Sequence, residues 1–89
     1  MSDKMYVKVN GTKVVMDAVD ATMIAEGVQE SESPEQAAAA WQYLVITGLA
    51  WQLQGWFGHT ATSLIENGVI VAAKDYDAEA GITVTFNEE

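Results

Sequence analysis

His59 and Ser63 are the first pair to weigh for chemistry. They stand four residues apart, a spacing that puts both on one face if the segment is helical. A serine nucleophile needs a base and a third group that orients the base. No such group, and no oxyanion-hole motif, accompanies this pair, so an exposed histidine beside an ordinary serine is expected. Asp75, Asp77 and Glu79 follow at two-residue spacing, like the start of a loop that offers oxygen ligands to calcium. The pattern then fails, because Ala80 stands where the sharp turn requires Gly and Phe86 where a bidentate Glu belongs. A solvated acidic loop is the expected outcome. The glycines at 48, 55, 58 and 68 have no basic neighbour and no strand–glycine–helix order, so helix ends and close packing account for them better than a phosphate cradle does. The chain has no cysteine and one histidine, which removes disulfides and the usual zinc sites. Neither enzymatic activity nor a cofactor is expected.

Binding is the stronger lead. The three tryptophans at 41, 51 and 56 fall in a stretch, 41–68, without Lys or Arg. Trp41 fits a helical apolar stripe and a place in the core. Trp51 and Trp56 lie near expected bends, where an indole serves either as a core rim or as an anchor for a partner. The 89 residues hold 13 Asp and Glu against four Lys, for a net charge of −9. That field repels phosphate backbones and anionic membranes, and so argues against direct binding to nucleic acid or lipid. It favours a basic partner, and many basic surfaces are those that bind nucleic acid. The carboxylates form clusters, among them Asp17 with Asp20, the series Glu26, Glu30, Glu32 and Glu35, and the loop Asp75, Asp77 and Glu79. Such clusters either imitate a phosphate backbone or form a plain solvated face.

The elements that must position these groups suggest one α+β domain spanning residues 1–89. "MYVKV-NG-TKVVM" reads as a hairpin closed by a type I′ Asn-Gly turn, with Val9 opposite Thr12, Val7 opposite Val14 and Met5 opposite Met16. Asp20 could cap a short helix carrying Met23, Ile24 and Val28 on one face, weakened by Gly27. Ser33, Pro34 and Gln36 form a helix start with a capping box. Ala37, Ala40, Trp41, Leu44, Val45 and Gly48 then follow at helical spacing, with a break or bend at Thr47-Gly48. About two more turns are expected through Leu49, Leu53 and Trp56, with a second break at Gly55. The pattern Thr60, Ala61, Leu64, Ile65 closes at Asn67-Gly68. Val69–Ala73 and the alternation Ile82, Val84, Phe86 predict a second, C-terminal hairpin joined by the acidic loop. Two hairpins in an antiparallel sheet would thus pack on two or three central helices. No apolar run reaches the ~18 residues of a membrane span. The first residues, "MSDKMYVKVNG", lack the apolar core of a signal peptide, so an intracellular location is expected.

"LVITGLAWQLQGWFGHTATSLIENG" resembles a stretch shared by a family of small phage-encoded proteins of unknown function, with the pattern L-[VI]-D-T-G-L-[AV]-W-Q-L-Q-G-x-[YF]-G-R-T-A-x-x-L-I-x-x-G. Leu44, Thr47, Gly48, Leu49, Trp51, Gln52, Leu53, Gln54, Gly55, Gly58, Thr60, Leu64, Ile65 and Gly68 match it. Ile46 and His59 depart from it, standing where the family pattern has Asp and Arg. The resemblance implies a phage origin and a bacterial cytoplasm, and no particular reaction.

The expected function is inhibition of a host protein, by occluding a basic, nucleic-acid-binding surface in the manner of an anti-CRISPR protein. Trp51, Gln52, Gln54, Trp56 and His59 are the expected anchor, and Asp75, Asp77 and Glu79 the expected acidic contacts. The alternative is a self-associating structural protein, a homodimer through the tryptophan helices.

Overall fold

A computed structural model describes residues 4–84. It is an α+β arrangement of one two-stranded antiparallel sheet and three α-helices. Strands β1 (Met5–Val9) and β2 (Thr12–Met16) pair in the register that the Asn-Gly turn dictates, Val9 with Thr12, Val7 with Val14 and Met5 with Met16. Asn10 and Gly11 both take positive φ, 52° and 83°, as a two-residue hairpin loop requires. Alternation then does the sorting. Val7, Val9 and Met16 are buried, while Tyr6 and Val15 stay exposed on the outer face, where the Lys13 ammonium sits 5.8 Å from the Tyr6 ring centre.

Helix α1 (Ala18–Glu26) starts one turn earlier than Asp20 suggested. Asp17 is its N-cap, and the Asp17 carboxylate accepts the Asp20 N–H at 2.8 Å. Gly27 ends the helix in the left-handed region at φ 81° rather than interrupting it, so Val28 falls outside and is exposed. Helix α2 (Pro34–Ile46) begins at the expected Ser33 cap, whose hydroxyl accepts the Gln36 N–H at 3.1 Å. The reciprocal half of the capping box is displaced by one residue, since Gln36 Oε1 accepts the N–H of Glu32. This helix is the centre of the molecule, in contact with α1 and both strands. Ala39, Ala40, Gln42, Tyr43, Leu44 and Val45 are all buried, more than one stripe can supply, because a helix surrounded on several sides is apolar nearly all round.

Thr47 and Gly48 stop α2, with Gly48 at φ 82°. In place of two further helical turns there is a short 3₁₀ turn, Leu49–Trp51, after which α3 (Gly55–Glu66) begins at the second expected break. Asn67 caps its end and Gly68 takes φ 77°.

The expected C-terminal hairpin is corrected by the segment that follows. Val69–Ala73 is not a strand. The described chain runs through irregular backbone, a 3₁₀ turn at Ala73–Asp75 and a turn at 78–80. Ile82 then forms an isolated parallel bridge with Val9, on the free edge of β1, and Phe86 lies outside the described residues. The physical reason is that this segment finds its hydrogen-bond partners elsewhere. The fully buried Gln42 amide accepts the Val71 N–H at 2.9 Å and donates to the Val71 carbonyl at 2.8 Å. The Asn10 amide does the same for Val84, at 2.8 and 3.1 Å. Ile82 N–H donates to the Lys8 carbonyl at 2.8 Å, Asn10 N–H to the Ile82 carbonyl at 2.9 Å, and Lys8 N–H to the Tyr76 hydroxyl at 3.1 Å. Backbone groups so satisfied have no need of a second strand.

Candidate partner-binding surface

The turn between α2 and α3 places the exposed tryptophans. Thr47 Oγ1 donates to the Tyr43 carbonyl at 2.9 Å, tightening the end of α2, and Trp51 N–H donates to the Gly48 carbonyl at 3.1 Å. The Trp51 indole then lies on α3 at Gly58. A methyl group on Gly58 would come within 2.9 Å of its six-membered ring, so the absence of a side chain there is what seats it. Trp51 remains 53% exposed. It borders a shallow depression of about 340 Å³ with Leu53, Gly55, His59 and Thr62. His59 is exposed there, and Ser63 is not part of its lining.

Trp56 faces elsewhere. It precedes Gly58 by two positions, roughly 200° around the helix. Its ring stacks on the buried Phe57 at 4.0 Å and meets Trp41 edge-on at 6.4 Å, leaving Trp56 42% exposed. Trp41 is half-buried and tilts against Phe57 at 6.0 Å. The two expected anchors therefore belong to different neighbourhoods rather than one patch. Gln52 and Gln54 are exposed in the turn that links them.

Asp75, Asp77 and Glu79 are exposed in the tail, where the turn that carries Asp75 contacts α2 and the Glu79 backbone is held by the hairpin. Asp77 Oδ1 accepts the Glu79 N–H at 2.9 Å and the Ala80 N–H at 3.5 Å, while Lys8 Nζ donates to the Glu79 backbone carbonyl at 2.9 Å. The Asp77 carboxylate is thus occupied in holding a turn. No group of three or more metal-ligating side chains comes together among the described residues. No described helix is long and apolar enough to cross a membrane.

Two features escaped the reading of the sequence. The first is a groove of about 280 Å³ between α2 and α3, walled by Pro34, Ala37, Trp41, Leu64, Val69 and Ile70. Its trace in the sequence is the alanine run 37–40 beside a tryptophan, small residues next to a large one. The second is Gln42, whose only signal is being the one polar residue between Ala37 and Ile46. Charge is also divided by region. Lys4, Lys8 and Lys13 sit on or beside the hairpin and Lys74 in the tail, and no Lys or Arg occurs from residue 14 to 73. That interval, which holds all three α-helices, carries Asp17, Asp20, Glu26, Glu30, Glu32, Glu35 and Glu66.

Residues 16–85 match the model of a family described as a domain of unknown function, DUF7417. The match begins at the last residue of β2 and takes in every helix and the tail. No curated protein and no solved structure matches the chain.

Proposed function

The chain belongs to the DUF7417 family, and as that family has no known activity we propose a function from the surface itself: the protein is a non-enzymatic binding domain that docks on a basic protein partner through its helical side. The observation that carries this reading is the combination of exposed indoles, Trp51 and Trp56, with a helical region, residues 14–73, that has seven carboxylates and no Lys or Arg. Opposite charge would steer the encounter, and desolvated tryptophans would hold the complex. A basic surface of this kind is typically one that handles nucleic acid. Occluding it in a bacterial host, as a phage-encoded inhibitor would, is the specific form of the proposal. Self-association is disfavoured, since two copies at −9 each repel.

The test is capture from bacterial lysate by the tagged protein at low and high salt, beside a Trp51→Ala, Trp56→Ala double variant of verified fold. The expected result is one dominant basic protein, bound directly when purified, weakened by salt and lost with the tryptophans. Binding indifferent to both salt and the tryptophans would contradict the reading. A mass that rises with concentration in the absence of any partner would favour the homodimer instead.

A further inference from the structure

We infer that the groove between α2 and α3 is a subsite for one apolar side chain, leucine or phenylalanine in size, presented by a basic amphipathic helix of the partner. The inference rests on the reading of the helical side as the docking side, and it names what enters there. Pro34, Ala37, Trp41, Leu64, Val69 and Ile70 make apolar walls, and Thr60 adds the one hydroxyl-bearing residue of the lining. The groove, of about 280 Å³, has room for one such side chain. The groove continues into the exposed aromatic surface, because Trp41, which lines it, meets Trp56 edge-on at 6.4 Å.

Charge selects the occupant. In the chain, Glu32 and Glu35 flank Pro34 on one wall of the groove, and Glu66 lies between Leu64 and Val69 on the other wall. No lysine or arginine lies on either helix. An apolar slot bounded by carboxylates fits a helix with leucines on one face and lysines beside them. It does not fit a second copy of this chain, whose own helices are acidic.

The experiment uses a synthetic amphipathic peptide of leucine and lysine at helical spacing, with a second peptide in which the central leucine is serine, titrated against the intact protein by tryptophan fluorescence. The leucine peptide is expected to bind saturably, and the serine peptide roughly tenfold or more weakly, the loss that one unburied leucine implies. Ala37→Leu, which fills the groove from inside, should weaken the leucine peptide by a similar factor. Tyr6→Thr, on the outer face of the hairpin, should leave it within about twofold. Equal affinity for the two peptides, or no effect of Ala37→Leu in a variant with wild-type circular dichroism, would overturn the assignment. Failure of lysate capture with the peptide result intact would remove the host-inhibitor reading and leave the subsite standing.

Discussion

The two ends of the chain carry similar β-rich patterns and fold in different ways. At the N-terminal end, two apolar runs are joined by two residues, and each satisfies the backbone of the other. At the C-terminal end, two comparable runs are separated by an acidic loop, and neither pairs with the other among the described residues. The tail is instead held by side-chain amides from distant positions, Gln42 on α2 for Val71 and Asn10 in the hairpin turn for Val84. A tight turn makes pairing local and low in entropic cost, whereas a longer loop leaves the outcome to tertiary partners. The difference bears on function, since Val69 and Ile70, just before the Gln42 clamp, are one wall of the groove.

The largest expected effect is on the clamp. Gln42→Ala would leave the half-buried Val71 N–H and carbonyl without their partners and empty the buried Gln42 site, costing roughly 3 kcal/mol in urea unfolding. A loss under about 1 kcal/mol would mean the tail does not depend on it. Gly81→Ala comes next. Gly81 has φ 69°, and an added methyl would run into the Lys8 carbonyl, so about 2 kcal/mol should be lost. A neutral substitution would contradict the close approach of tail and hairpin. Asn10→Gly separates the two roles of one residue. Glycine keeps the positive φ of the turn but deletes both bonds to Val84, so stability should fall by about 1 kcal/mol. Hydrogen exchange should then speed up at Val84 while β1 and β2 keep their protection, and equal loss in both would merge the two ends into one unit. The smallest effect is expected on the outer face of the hairpin. Tyr6→Thr, at a side chain 61% exposed, should stay within about 0.5 kcal/mol. A larger loss would show that this face is covered.

What the sequence makes legible follows the same division. The hairpin register could be read in full, because Asn10-Gly11 permits only one pairing. The Ser33-Pro34 start of α2, its stop at Thr47-Gly48 and the close of α3 at Asn67-Gly68 were legible for the same reason, each being written in a few adjacent residues. The start of α1 was less so, because Asp17 and Asp20 both qualify as caps and only the path out of β2 decides between them. The path of the tail is not legible, because period-two alternation at Ile82 and Val84 records burial on one side and says nothing of the partner. Of the candidate site residues, Trp51 and Trp56 are exposed as a docking role requires. That they point to different neighbourhoods depends on Gly58 and Phe57, contacts of the folded helix. The groove is a space left by Ala37 and Ala38 between two helices, and spacing along a chain does not encode a space.

The central claim is that the helical side, with the tail as one wall of its groove, is where a basic partner docks. Backbone amide NMR of the labelled protein during titration with the leucine–lysine peptide tests it most directly. Shifts should concentrate at Ala37, Trp41, Leu64, Val69 and Ile70 and at the Trp56 indole, with Tyr6, Lys13 and Val15 unmoved. Shifts centred on the hairpin, or none at saturating peptide, would contradict it.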